Sequence, residues 1–263
     1  MEEGIHISLA AERLGAFLGL PVTNSLVTAW LVMGVLLLLA VFVYRRASLV
    51  PGKLQNAFEM AFEYVLGIME STLGSRALAE RYFPLVATIF LFILASNLFD
   101  LLPIFGSIGL WHGEELVPLF RPVNADLNMT LALAIISFFV IELSGILTLG
   151  ALKYGSKFVT IKNGAIGFVV GLLELVGNLA RLISLSFRLF GAIFAGEVLL
   201  VVIGYFVPYA LPVPLMAFEA FIGLLQAGIF AMLTMAFIKL AIEPPHGDHG
   251  EEHPSSKLQT SNV

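Results

Sequence analysis

Seven side chains capable of holding a charge or a strong hydrogen bond, Glu174, Asn178, Arg181, Arg188, Glu197, Glu219 and Gln226, lie inside two long apolar stretches, 166–205 and 216–242. An ionisable group at the centre of a bilayer costs about 2.5–3.5 kcal/mol on insertion scales, so such residues mark ion pathways, relays or buried pairs. Glu174, Arg181 and Arg188 are seven residues apart, which on a helix places them on nearly one stripe with Asn178 and Ser184 beside it. Snorkelling or a structural ion pair accounts equally for Glu174 and Arg181, nearer one end of the stretch; Arg188 lies too far inside for that. Beyond Arg188 the same face continues as Gly191, Ala192 and Ala195, small residues that let another helix approach closely. Glu197 is nine positions from Arg188, about 180° around the helix, so two aqueous paths on two faces become available. Glu219 and Gln226 share a face with Gly223 between them. An antiparallel packing that brings Glu219 to Glu197 makes a carboxyl pair that shares protons, which favours proton relay over cation storage.

The elements that must position these residues are helices in lipid. The chain of 263 residues is 59% hydrophobic and 13% charged, with a mean hydropathy of +0.95, far above a water-soluble domain. Its apolar residues fall in blocks of about 20, the number that crosses about 30 Å of hydrocarbon. A first span, 25–44, ends in Arg45-Arg46 with Lys53 following, and the positive-inside tendency puts the N-terminus outside. After Pro51-Gly52, a stripe of Leu54, Phe58, Phe62, Leu66 and Met69 predicts an amphipathic interfacial helix over 53–80. A second span, 84–103, carries Asn97 and Asp100 near its outer end, and the next loop holds Trp111, His112, Glu114, Glu115 and Arg121. A third span, 128–152, follows Asn124 and Asp126 and precedes Lys153, Lys157 and Lys162, which places that loop inside. A helix of about 40 residues is about 60 Å long, so 166–205 must tilt, bend or lie partly in the membrane plane. The expectation is an all-α integral membrane protein of five to six helices. It comprises one outer spanning helix, the interfacial helix and a steeply tilted hairpin over 166–242. Residues 1–242 make a single membrane domain and 243–263 a flexible cytoplasmic tail.

Composition closes several alternatives. With no cysteine there is no disulfide, thiolate metal site or thiol chemistry. A net charge of −5 argues against a nucleic-acid partner. The acidic residues ahead of the first apolar run do not resemble a cleavable signal. His246, His249 and His253 in the proline-broken tail are expected to bind no metal, and no cofactor is expected. No GxxxxGK[ST] phosphate loop occurs, so nucleotide chemistry is not expected in this chain.

The segment SFRLFGAIFAGE, Ser186 to Glu197, followed by FEAFIGLLQAGIFAMLT, closely resembles subunit a of the F-type rotary ATP synthase, bacterial type. VPGKLQNAFE (50–59), SNLFDLLP (96–103) and NADLNMTLALA (124–134) support the resemblance in the family's order. The resemblance implies a non-catalytic, proton-translocating stator subunit. Its Arg188 would face the carboxylates of a rotating c ring and separate two offset half-channels. Glu197, Glu219 and Gln226, with Asn97, Asp100, Asp126 and Asn128, would line or support the outer one, and Glu174, Asn178, Arg181 and Ser184 the inner one. The implied partners are the c ring, the peripheral stalk subunit b and the lipid bilayer, in a bacterial inner membrane with the C-terminus cytoplasmic. Two positions depart from many relatives: Ala192 stands where asparagine is common, and both Glu197 and Glu219 are glutamate where one is often histidine. A secondary transporter would show two related halves, which this sequence does not. A structural scaffold would give no reason for Arg188 and two glutamates at bilayer depth.

Overall fold

The structure, a computed structural model, describes residues 11–17, 19–48, 52–102, 108–112, 115–158, 164–207 and 210–243. Glu114, Lys162 and the tail with its three histidines lie outside the described residues. Among those described, seven helices follow one another: α1 Asn24–Arg46, α2 Lys53–Leu73, α3 Arg76–Asp100, α4 Leu127–Leu149, α5 Ala151–Phe158, α6 Gly164–Phe206 and α7 Pro212–Ile242. Five of them, all but α2 and α5, are long and apolar enough to cross a membrane. The protein is an all-α integral membrane protein.

The boundaries follow local chemistry. Thr23 caps α1 by accepting a hydrogen bond from the backbone N–H of Leu26 at 3.3 Å. Gly74, at φ +75°, ends α2 in the left-handed conformation that glycine adopts without a Cβ penalty. The predicted 53–80 helix therefore stops at Leu73, and 76–80 open α3 instead. The predicted start of the second span at Pro84 is corrected in the same way, because Pro84 sits inside α3. Arg76 holds this corner together, donating to Glu63 at 2.8 Å, Glu80 at 2.9 Å and Glu70 at 3.5 Å. Its hydrogen bond, and then its charge, keeps the Glu63 carboxyl below the usual range. Gly150, at φ +83°, ends α4 before the expected Leu152 and turns the chain into α5, which the lysine-rich stretch did not announce. Two short antiparallel hairpins were likewise not anticipated: β1 Arg13–Phe17 with β2 Leu20–Thr23, and β3 Gly109–His112 with β4 Glu115–Pro118. The side-chain amide of Asn24 donates to the Pro118 carbonyl at 3.4 Å and ties the two hairpin regions to one end of the bundle.

Because the spans alternate in direction, Arg45, Arg46, Lys53, Lys153 and Lys239 gather at the opposite end. Helix α7 is the axis of the packing, touching α2, α3, α4 and α6. Its buried residues Ala231, Met235, Ile238 and Ala241 meet Met69, Leu73, Ala79, Tyr82 and Val86 in one apolar cluster. Only the C-terminal end of the α2 stripe is buried; Phe58 and Phe62 stay exposed, with Phe62 reaching the Phe83 ring edge-on at 5.6 Å. Helix α1 is buried only at Asn24, Ser25, Thr28, Ala29 and Val32, and its remaining aliphatic surface is suited to acyl chains. Helix α6 is continuous over 43 residues. At about 1.5 Å per residue it is roughly twice the hydrocarbon thickness and cannot stand upright.

Gly145 of α4 is required by Tyr154 of α5, whose ring occupies the space where a Cβ would stand. Gly145→Ala is expected to push that buried ring aside at an overpacking cost of about 1–3 kcal/mol. A lowered thermal-inactivation midpoint of the purified protein is the check.

Candidate functional site

The apolar packing brings polar groups together at two levels, one on each side of Arg188. The first lies toward the hairpin end. Asn97 of α3 donates its side-chain amide to the Gly223 carbonyl of α7 at 3.0 Å and accepts from Asn124 at 2.7 Å. A Cβ at Gly223 would come within 2.8 Å of the Asn97 Cβ, so glycine here lets the asparagine lie on the α7 backbone. Glu219, one turn earlier, is buried, and its carboxyl packs on Gly196 of α6, where a Cβ would meet Oε1 at 2.5 Å. Neither Glu219 oxygen nor Glu197 Oε2 has a hydrogen-bond partner among the described residues. Glu197, Glu219 and Asp100 are near enough for their charges to interact, and the charge of Arg121 reaches Glu197. Gln226 is buried on the same α7 face.

The second level lies toward the basic end. Glu142 of α4 accepts from the Tyr154 hydroxyl at 2.8 Å through Oε2 and from the Asn178 amide at 3.1 Å through Oε1. Arg181 donates to Asn178 Oδ1 at 2.9 Å and lies 5.3 Å from the Phe237 ring centre. Burial, followed by the bond to Glu142, raises the Tyr154 hydroxyl above its ordinary range, and the charge of Glu174 adds to this.

Between the two levels is a buried apolar layer: Ile93 of α3, Ala134 of α4, Leu189 and Ile193 of α6, Ala227 and Phe230 of α7. Thr130 and Ser186, buried at the α4–α6 contact, are 3.2 Å apart through their hydroxyls. Arg188 stands at the level of this layer but points out of the bundle. It is exposed, donates to Ser184 Oγ at 3.4 Å, and pairs with no carboxylate among the described residues. A cleft of about 260 Å³ opens beside it, lined by Gly177, Ala180, Arg181, Ser184 and Phe237. Gly191 and Ala195 are exposed on the far side of Arg188, leaving a low-relief face. Along the α6 axis Arg188 is about 10 Å from Arg181 and about 14 Å from Glu197.

Of the residues singled out from sequence, Glu197, Glu219, Gln226, Asn97 and Asp100 take places in or beside the first level, Asn178 and Arg181 belong to the second, and Arg188 with Ser184 stands between them. Glu174 is half-buried nearby. Asp126 does a different job: buried, it caps α4 by accepting from the Asn128 N–H at 3.0 Å. The Asn128 side chain is exposed and joins neither group. Sequence reasoning passed over Glu142, although an acid deep in the third span is the same signal that exposed Glu197. It also gave no role to Asn124 or Tyr154, whose importance depends on contacts between separate helices.

The fold and site together define a multi-pass helical membrane protein with ionisable groups held at two depths. The family model for the ATP synthase A chain matches residues 26–239. ATP synthase subunit a 2 of Syntrophotalea carbinolica is 34% identical over 248 residues, covering 92% of this chain and 94% of that protein. ATP synthase subunit a of Mycobacterium marinum is 33% identical, with 93% and 97% covered, and that of Moorella thermoacetica 31%, with 83% and 90% covered. The chain belongs to the ATP synthase A chain family.

Proposed function

We propose that this chain is the proton-translocating stator subunit of an F-type ATP synthase, in which two half-channels flank an arginine that faces the rotating c ring. The observation that carries the proposal is the placement of Arg188: a permanent charge exposed at the level of an apolar layer, with buried polar groups on either side of that layer. Protons enter the outer half-channel through Asp100, Glu197, Glu219 and Gln226, where Asn97 holds α3 on α7. They leave through the inner group of Asn178, Arg181 and Ser184, with Glu174 near its mouth. Asp126 supports the outer path by fixing the start of α4. The apolar layer blocks a direct route, so a proton can pass only on a ring carboxylate that travels around. The basic ends of the helices are cytoplasmic, the hairpins face outside, and the membrane is the bacterial inner membrane. Residues 1–242 act as one membrane domain, with 243–263 a cytoplasmic tail. Subunit b of the peripheral stalk holds the chain against the torque. Nucleotide chemistry resides in other subunits.

Reconstitution tests this. The purified chain alone in vesicles is expected to carry no proton current, vesicles holding it with the c ring and stalk are expected to conduct, and adding the nucleotide-hydrolysing subunits is expected to give acidification with ATP. Solute-specific or proton transport by the chain alone would make it an autonomous transporter.

A further inference from the structure

Glu142 is the one half-buried acid of α4 that the half-channel assignment does not use. It bridges three helices, since its carboxylate accepts from Tyr154 of α5 and from Asn178 of α6. The same side chain lines a small cavity of about 20 Å³ with Asn178, Arg181, Leu185 and Phe237, room for about one water molecule. Arg181, Leu185 and Phe237 also line the larger cleft that reaches Arg188, so these side chains form the wall between the two spaces. A carboxylate has about four lone-pair sites, and two accepted bonds leave sites for water in the cavity.

Resting on the function proposed above, we propose that Glu142 is the proton-exchanging carboxylate of the inner half-channel, taking each proton that comes off the Arg188 side and handing it to water at the inner face. A protonated water of the cleft gives up its proton, its own O–H bond breaking as one forms at a Glu142 oxygen, and that bond breaks in turn when the proton passes to water on the inner side, restoring the carboxylate. Tyr154 and Asn178 position the group. Among the described residues its charged or titratable surroundings are Arg181 and Glu174 of α6 and Tyr154 of α5, and α7 presents Phe237. A purely structural clip between α4, α5 and α6 is the alternative, and it predicts no dependence of flux on the ionisation of this side chain.

Inverted vesicles expose the inner face to the bath, so proton flux through the whole complex, driven by an imposed potential, can be followed with a pH dye over a series of bath pH values. Glu142→Gln is expected to cut the flux about tenfold or more, within the range of a lost proton-transfer group, and to flatten its dependence on bath pH. Glu142→Asp is expected to restore both. Tyr154→Phe, which retains the carboxylate, is expected to keep a pH-dependent flux with its profile shifted. Wild-type flux and profile in Glu142→Gln would overturn the assignment, as would a Tyr154→Phe profile as flat as that of Glu142→Gln. If Glu142→Gln loses the ring on purification, Tyr154→Phe decides: a shifted but pH-dependent profile supports the relay, and a profile identical to wild type overturns it. Arg188→Ala, assayed in the same vesicles for ATP-driven acidification, separates this inference from its premise. If acidification is lost there while Glu142→Gln keeps wild-type flux and profile, only the Glu142 role fails; if Arg188→Ala still acidifies with an intact complex, the half-channel reading fails.

Discussion

Arg188→Ala is expected to abolish ATP-driven acidification of inverted vesicles while the ring still co-purifies, a loss of about a hundredfold or more, the scale of removing one preorganised electrostatic contact. The guanidinium is exposed on the face lined by Ser184, Gly191 and Ala195 and has no acid to neutralise it among the described residues. It is therefore free to meet a charge from outside the chain. At about 4 Å and an effective dielectric of about 20, attraction between unit charges is about 4 kcal/mol. Under the proposed function, that is enough to let an ionised ring carboxylate pass through an apolar zone, and by favouring the ionised form it keeps a protonated one from crossing between the channels. Arg188→Lys is expected to fail as well, because a compact ammonium lacks the planar fork that can serve an arriving and a departing carboxylate. Normal acidification in Arg188→Ala vesicles with an intact complex would show that this arginine is structural.

Glu219→Gln is expected to slow proton flux about a hundredfold, in line with loss of a positioned acid–base group, with assembly retained because the amide is nearly isosteric. Glu219 is buried against Gly196, within electrostatic reach of Glu197 and Asp100, and its oxygens make no hydrogen bond to the described residues. Such a carboxyl contributes little to holding helices together, and under the proposed function its work is to carry protons. Flux measured from the outer side, with ring co-purification as the assembly check, decides the matter. A Glu219→Gln complex that conducts like wild type would leave Glu197 and Asp100 as the outer path.

Most of this architecture could be read from hydropathy and charge, since a span has only to be long and apolar and α1, α6 and α7 begin and end within a few residues of the expected positions. The misses have local causes. Pro84 suggested a helix start because proline favours first turns, yet the Gly74 left-handed cap and the Arg76 cluster had already started α3 eight residues earlier. The 151–158 stretch was taken for a loop because its lysines dominated its composition, while Tyr154, packed on Gly145, anchors it as a helix. Within the site, helical spacing alone put Arg188 and Glu197 on opposite faces and Glu219 with Gln226. Spacing along one helix could not reveal that Asn97 lies on Gly223, that Asp126 is occupied as a cap, or that Glu142 meets Asn178, because each of those depends on which helices become neighbours.

The outward guanidinium also bears on the life of the newly made chain. A copy inserted without its companions presents Arg188 and the cleft beside it to acyl chains, at an insertion cost of about 2.5–3.5 kcal/mol. An orphan copy would therefore carry a cost in lipid that a facing carboxylate from a partner would relieve. The charge proposed to couple transport would then also make a solitary copy costlier in lipid than an assembled one.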